Sequence, residues 1–251
     1  TRFDLSIKQT TELVIESPNG ISLRYCLNQI VEFSQFLSIA LYGSQSPSSV
    51  LFSNSLNNLH SVLLYKKEDS INPNSSSLIK FDALKNKIPD MLRNWHENYS
   101  DVAPISNYLI ESLQKNKTFD VPDFLIIAQA LDGYHKRFVN KKNGKDRRKY
   151  EDEIKILLKQ FKDVDCVQKC HIDPKSLADS RNKYSHLYPD NENSSAVEGE
   201  DLFLLTEKCK ILLTCCILNM MGLTNEEINI CCDNSPIQEI IEAHSFEFED
   251  D

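Results

Sequence analysis

From residue 83 to residue 222 the apolar positions recur at the three- and four-residue spacing of amphipathic helices. Several of these stripes are each long enough for a helix of several turns. They occupy residues 84–99, 105–113, 124–138 and 150–161. A further helix, predicted for residues 200–221, is apolar nearly all round after residue 211, which is typical of the centre of a bundle or of a dimer seam. No strand pattern interrupts this stretch, so it is predicted to be all-α.

The N-terminal part of the chain has a mixed pattern. Apolar and polar residues alternate over residues 3–7, which is typical of a half-buried strand. A broad amphipathic helix is predicted for residues 23–41, and a glycine soon follows it. Two short apolar runs, residues 50–52 and 62–65, indicate further strands.

These patterns predict an α+β chain with two unequal parts. A C-terminal, all-α helical bundle is preceded by part of a smaller domain that is mixed α/β or β-rich, with a polar linker between them. The predicted divisions are residues 1–70 for the N-terminal domain, 71–82 for the linker, 83–236 for the helical domain and 237–251 for an acidic tail. Because the chain begins with Thr rather than Met, we expect it to be a fragment or a processed product.

The composition is that of an ordinary globular protein, with 41% hydrophobic and 26% charged residues. The longest apolar run, residues 211–218, is far shorter than the roughly 18 to 20 residues that a membrane-spanning helix needs. No secretory signal pattern opens the chain. The eight cysteines are expected to be buried free thiols of a reducing compartment, because a chain of this size does not need a disulfide framework. We therefore expect a cytoplasmic protein that does not contact a membrane.

One group of cysteines leaves a structural metal site open. Cys166, Cys170 and His171 lie close together in the sequence, and Cys231 and Cys232 could complete a zinc site. The usual tight pair is separated by two residues rather than three, and two adjacent cysteines are awkward for tetrahedral ligation. Packing thiols are therefore the expected role, and no metal or other cofactor is predicted.

The net charge of −9 argues against binding to nucleic acid, but the distribution of charge changes this interpretation. Residues 136–149, here called the basic strip, contain eight basic residues and one acidic residue. Such a strip can track a phosphate backbone, and a solvated loop between two helices is the alternative. The residues predicted to contact a nucleic acid are His135, Arg137, Lys141, Lys142, Arg147 and Arg148.

The residues best suited to catalysis lie on a helix that a cap residue and a proline begin at residues 173–174. A proline at position 189 ends the segment. Arg181, Asn182 and His186 are predicted in the second half of this helix, where Asn182 and His186 are four residues apart and share a face. The group combines a permanent cation, an amide and an imidazole that can exchange a proton near neutral pH.

The order Arg181-Asn182-x-x-x-His186 on a late helix of a helical domain resembles the motif of HEPN ribonucleases, in which an Arg and a His are separated by a few residues. Residues 125–138 are similar to the first core helix of the HEPN branch found in ApeA-type anti-phage proteins, although Asp132 stands where a longer Glu is expected. The resemblance covers roughly residues 80 to 235. It implies a HEPN-like helical bundle, a homodimer and RNA cleavage during abortive infection.

RNA carries its own nucleophile, the 2′-OH, so an enzyme need only move protons and neutralise charge on the phosphate. His186 suits proton transfer, and the planar guanidinium of Arg181 can hold two phosphate oxygens. Asn182 can orient His186 or donate a hydrogen bond to the phosphate. A two-fold dimer would supply two such sets and therefore both an acid and a base.

The sequence thus predicts a metal-independent endoribonuclease with Arg181, Asn182 and His186 as catalytic residues. Its expected partners are a second copy of the chain and RNA, with tRNA as one candidate substrate, and DNA is not expected. The alternative is a non-catalytic helical module for dimerisation or interaction, which would keep the same pattern for packing.

Overall fold

The computed structural model describes residues 13–15, 20, 22–53, 59–62, 77–114, 121–140, 148–189 and 194–245. The α-helices in these residues are Leu23–Ala40 (α1), Phe81–Leu84 (α2), Ile88–Gln114 (α3), Val121–Tyr134 (α4), Tyr150–Gln160 (α5), Asp165–Lys169 (α6), Pro174–His186 (α7), Gly199–Met220 (α8), Asn225–Cys232 (α9) and Pro236–Ser245 (α10). A π-helical turn, His135–Val139, continues α4. Strands Val50–Ser53 (β1) and Leu59–Val62 (β2) form an antiparallel pair with Val50 opposite Val62. The described part of the chain is therefore mostly helical.

Helix α1 confirms the helix predicted at residues 23–41, and it packs against α3. The rings of Phe36 on α1 and Trp95 on α3 meet edge to face, with their centroids 6.1 Å apart. The indole N–H of Trp95 donates to the backbone carbonyl of Glu32 at 3.1 Å. These contacts join the N-terminal helix to the helical core.

The strands of the N-terminal part are only partly described. Strand β1 confirms the strand predicted at residues 50–52. Strand β2 ends at Val62, where the second predicted strand begins. Residues 63–65 of that prediction and the alternating residues 3–7 lie outside the described residues.

Two of the predicted apolar stripes, 84–99 and 105–113, lie largely on one helix of 27 residues, α3. Trp95, Val102 and Ile105 are all buried, so Val102 continues the buried face from one stripe to the next. Pro104 lies inside the helix, where it removes one backbone donor without ending the helix. Between residues 83 and 222, the described segments contain no strand, as predicted.

Helix α8 occupies the centre of the bundle and is buried almost continuously from Leu202 to Leu218. Of the two roles predicted for it, this chain therefore uses it as the central helix. Gly222 follows the helix with a φ of 97°, and a Cβ there would lie 2.5 Å from Nδ2 of Asn94. The predicted stop at this glycine is confirmed. Among the described residues, neither α8 nor any other helix has the length and hydropathy needed to cross a membrane.

Residues 237–245, which the sequence analysis placed with the acidic tail, belong to helix α10. Ile237 is fully buried, and Ile240 and Ile241 pack against the core beside it. Their spacing of three and four residues gives the helix an apolar face, which packs on α6, α8 and α9. The acidic residues that follow, 247–251, lie outside the described residues.

Candidate active site

Helix α7 confirms the predicted helix and carries Arg181, Asn182 and His186 in its second half. The Asp173 carboxylate accepts two backbone N–H groups of the first turn, at 2.9 and 3.2 Å. The helix ends at Leu187, whose φ of 53° and ψ of 41° are left-handed, before the proline at position 189. Both ends of the helix are thus set by local residues.

The segment that follows α7 is hydrogen-bonded to one side of this helix. The backbone N–H of Val197 donates to the Ser180 hydroxyl at 3.0 Å, and the Tyr184 hydroxyl donates to the Val197 carbonyl at 2.9 Å. The Asp179 carboxylate accepts the backbone N–H of Ser195 at 2.9 Å. Because these bonds tie down consecutive turns, the second half of α7 is held on a fixed support.

Arg181 lies on the side of α7 that packs against α5. Its guanidinium carbon is 5.3 Å from the centroid of the Tyr150 ring, and Nη1 donates to Oδ1 of Asn182 at 3.3 Å. The Tyr150 hydroxyl donates to the carbonyl of Ala128 on α4 at 3.0 Å, which fixes the ring. Burial raises the pKa of Tyr150 well above its usual value, so the ring stays a neutral platform. Arg181 is therefore oriented by a residue from another helix.

Two buried carboxyl groups lie close to this platform. Asp132 at the end of α4 is 5% exposed and Glu153 on α5 is 4% exposed. Lys136 Nζ lies 2.7 Å from Oδ1 of Asp132. Burial, a hydrogen bond with Asp132 and the charge of Asp132 raise the pKa of Glu153 to about 7, against the opposing effects of Lys136 and Arg181. A substantial fraction of Glu153 therefore carries a proton near neutral pH.

His135 belongs to this buried group rather than to an open surface. It has no exposed area, and its Nδ1 lies 3.7 Å from Oε1 of Glu153. It begins the π-helical turn, in which the N–H of Asn140 donates to the His135 carbonyl at 2.9 Å. The position predicted to contact a nucleic acid is thus in the interior in this structure.

The side chain of His186, near the end of α7, is exposed. Its ring lies 5.1 Å from the ring of Tyr188, with an interplanar angle of 31°. Arg181 and Asn182 are half-buried. The imidazole is therefore accessible to a large substrate, while the guanidinium is held more firmly against the bundle.

In the sequence, the basic strip begins within the π-helical turn, directly after His135, and ends directly before Tyr150, the first residue of α5. Arg137 is exposed, and its Nη1 donates to the backbone carbonyl of Asp101 at 2.6 Å. Arg148 is also exposed, next to the start of α5. The remaining predicted contacts, Lys141, Lys142 and Arg147, lie outside the described residues.

The sequence analysis did not assign Tyr150 or Glu153 to the site. Tyr150 fits the apolar stripe of α5, and Glu153 resembles the ordinary acidic residue of a first helical turn. An aromatic residue and an acid three positions apart, directly after a basic strip, were the available signal.

Three of the cysteines form a cluster of their own. Of the residues considered for zinc, Cys166 and Cys232 come together, with their Sγ atoms 3.0 Å apart. The third member is Cys215 on α8, whose Sγ is 3.7 Å from that of Cys166, and not the exposed His171. All eight cysteines are buried free thiols, as predicted. Hydrogen bonds with the two neighbouring thiols lower the pKa of Cys166 well below its usual value.

Two family models match the chain. The model described as Apea-like HEPN matches residues 125–227, which run from α4 into α9 and include the whole of α7. The model described as ApeA N-terminal domain 1 matches residues 1–95. Together the two regions make up most of the chain. No curated protein and no solved structure matched it.

Proposed function

The chain belongs to the ApeA-like HEPN family, and from this membership we propose that it is a metal-independent endoribonuclease of anti-phage defence. The observation that carries the proposal is the arrangement on α7. An exposed imidazole, His186, follows five residues after a guanidinium, Arg181, that packs against the Tyr150 ring. These are the two groups that RNA cleavage by an internal nucleophile requires.

In the proposed reaction the 2′-oxygen attacks the adjacent phosphorus, and the bond from phosphorus to the 5′-oxygen breaks. A neutral His186 accepts the proton of the 2′-OH, and a protonated imidazole donates a proton to the departing 5′-oxygen. Arg181 binds the non-bridging phosphate oxygens, on which negative charge accumulates. Asn182, held next to the guanidinium, orients it or donates to the same oxygens. The products are a 2′,3′-cyclic phosphate and a 5′-hydroxyl.

The buried groups beneath Arg181 act in this proposal as positioning residues. The ring of Tyr150 contacts the guanidinium, and the Asp132–Glu153 pair lies at the junction of α4 and α5. Since neither carboxyl is open to solvent, they hold the helices together and do not contact RNA.

We propose that the active form is a homodimer, because one chain offers a single His186 for two proton transfers. Leu187 and Tyr188, which follow His186 directly, are 86% and 58% exposed. Two exposed apolar side chains beside a catalytic histidine provide a surface that a second copy could cover. Helix α8 is not available for this contact since it is enclosed by its own chain.

We further propose that the basic strip binds the RNA backbone, with tRNA as one candidate substrate, and that the reaction takes place in the cytoplasm. The N-terminal region would be a separate α+β domain, divided from the helical domain near residues 71–82, that senses infection or restrains the nuclease. The contact between α1 and α3 gives such restraint a physical route to the helical core.

The direct test is cleavage of a labelled RNA by the purified protein in the presence of EDTA. The parent is expected to cleave, and His186→Ala and Arg181→Ala are expected to lose at least about a hundredfold in rate. Arg93→Ala and His171→Asn are matched controls, because Arg93 is exposed beside Asp90 and His171 is exposed with a left-handed φ of 45° that asparagine tolerates. Both controls are expected to keep the parent rate.

Two results would contradict the proposal. Cleavage that survives both site substitutions would remove α7 from the chemistry. A parent that forms the dimer but leaves every RNA intact, with or without its trigger, would favour a non-catalytic interaction module.

A further inference from the structure

Three helices each contribute one cysteine to a single buried point. Cys166 lies on α6, Cys215 on α8 and Cys232 at the end of α9, and the three are 5%, 0% and 4% exposed. Their Sγ atoms all lie within 4.8 Å of one another. We propose that these three thiols bind a thiophilic metal ion of the Zn(II) or Cu(I) type.

The spacing of the sulfur atoms fits such an ion. A metal–sulfur bond of about 2.3 Å places the sulfurs of a trigonal or tetrahedral site about 3.8 to 4.0 Å apart. The separations from Cys166 are 3.7 Å to Cys215 and 3.0 Å to Cys232, so shifts of an ångström or less would open the ligand triangle. The three residues already face one another, so the fold has brought the ligand side chains together before any metal binds.

The ligand type selects the ion. Thiolates favour zinc and monovalent copper over magnesium, calcium or manganese, which prefer oxygen ligands. Binding would release the thiol protons, so three S–H bonds are exchanged for three metal–sulfur bonds and protons pass to solvent. Among the described residues, no fourth Cys, His, Asp or Glu shares this group, which favours three-coordination or a fourth ligand from outside the protein.

The position of the cluster gives the ion a structural effect. It would join α6, α8 and α9, which otherwise meet through apolar contacts and the hydrogen bond from the backbone N–H of Asp165 to Oδ1 of Asn229 at 2.9 Å. Helix α6 is followed after a short connection by Asp173, the cap of α7. A bound ion would therefore fix the segment from which α7 starts, at a distance from its catalytic end.

The test uses the whole chain, reduced and stripped of metal with a chelator. It is titrated separately with Zn(II) and with Cu(I) against a chromophoric competitor. One equivalent of at least one ion is expected to bind and to raise the thermal midpoint. Cys166→Ser, Cys215→Ser and Cys232→Ser are each expected to weaken binding at least about tenfold. Cys216→Ser is the matched control, because Cys216 is fully buried on α8 next to Cys215 but lies outside the group.

X-ray absorption at the metal edge keeps the test independent of how well the variants fold. Sulfur scatterers at about 2.3 Å in the loaded parent are expected, and a shell of nitrogen or oxygen alone would overturn the proposal. Absence of binding by the reduced parent would also overturn it. So would a Cys166–Cys232 disulfide in the oxidised protein combined with no metal affinity after reduction.

Discussion

The guanidinium of Arg181 lies 5.3 Å from the ring centroid of Tyr150. The contact connects α7 with the first residue of α5, and a cation over an aromatic face contributes about 0.5 to 2 kcal/mol. The hydroxyl of the same ring is bonded to α4 through the carbonyl of Ala128. The orientation of the motif arginine therefore depends on a residue that the motif does not contain.

Replacing Tyr150 tests this dependence. Tyr150→Leu removes the aromatic face, and we expect the rate of RNA cleavage to fall about tenfold as Arg181 loses its fixed position. Tyr150→Phe keeps the ring and loses only the bond to Ala128, so its rate should stay within about twofold of the parent while stability falls by about 1 kcal/mol. Single-turnover cleavage of one labelled RNA measures the cleavage rates of the two variants. Equal rates for the two variants would show that the ring has no such role.

The pH dependence of stability provides a test of the buried carboxyl pair. Because the pKa of Glu153 is raised to about 7, the folded protein keeps a proton that the unfolded chain has lost between about pH 4.5 and pH 7. The free energy of unfolding is therefore expected to decrease as the pH rises through this range. Glu153→Gln stays neutral, so it should flatten the profile and exceed the parent by about 1 to 3 kcal/mol at alkaline pH.

Chemical denaturation between about pH 5 and pH 8 measures this profile. Glu226→Gln is the control, because Glu226 is exposed on α9 and its replacement should leave the slope unchanged. A parent profile that rises across the range would mean that Glu153 is stabilised in its ionised form.

The N-cap of α7 should contribute measurable stability. Asp173→Ala removes both hydrogen bonds to the first turn, and we expect a loss of about 1 kcal/mol in the free energy of unfolding. Asp173→Asn keeps an acceptor oxygen in the same place and should lose less than half of that amount. Urea unfolding of the two variants beside the parent makes the comparison. If the two variants lose equal free energy of unfolding, the negative charge of Asp173 stabilises the helix, and the hydrogen bonds of the cap do not.

The end of α8 should tolerate no side chain at position 222. Gly222→Ala meets two penalties, a φ of 97° and a Cβ placed 2.5 Å from Nδ2 of Asn94. Since Asn94 also donates to the Met221 carbonyl at 2.9 Å, moving it would break a bond that closes the helix. We expect a loss of about 2 kcal/mol or more.

Gly20→Ala is a partial control for this prediction. Gly20 also has a positive φ, of 71°, but nothing lies within 4 Å of an added Cβ. Its substitution should therefore show the backbone penalty alone. Thermal unfolding that is equally affected by both substitutions would mean that Asn94 yields without cost.

Local signals were enough to predict α7 and the limits of α8. An acidic cap before a proline and a glycine after a long apolar run each act within a few residues, so the sequence shows them directly. Helix α10 had a local signal as well, in the spacing of Ile237, Ile240 and Ile241. The acidic residues beyond it led instead to the prediction of an acidic tail.

The parts of the site that depend on packing between distant segments could not be predicted. Tyr150 meets Arg181, and Glu153 meets Asp132, only because α4, α5 and α7 converge. Cys215 joins Cys166 and Cys232 in the same way. It lies on an apolar helix, where a cysteine is an ordinary packing residue and gives no sign of a cluster. Periodicity identifies the buried face of each helix but not the face that it meets.

The buried Lys210 illustrates the same limit. It lies on α8, directly before the part that is predicted to be apolar nearly all round, and it is 2% exposed. Its Nζ lies 2.8 Å from Glu207 on the same helix and 3.0 Å from Asp123 on α4. The first partner could be foreseen from a spacing of three residues, whereas the second depends on the packing of α4 against α8.

The π-helical turn at His135–Val139 contains Lys136 and Arg137, the first two residues of the basic strip, so its geometry sets the direction of both side chains. Each residue of an α-helix turns the chain by about 100°, so deleting one residue here would return the turn to α-helical geometry and rotate its side chains about the helix axis. A relative one residue shorter in this turn would direct these two positive charges toward neighbours other than Asp132 and the Asp101 carbonyl.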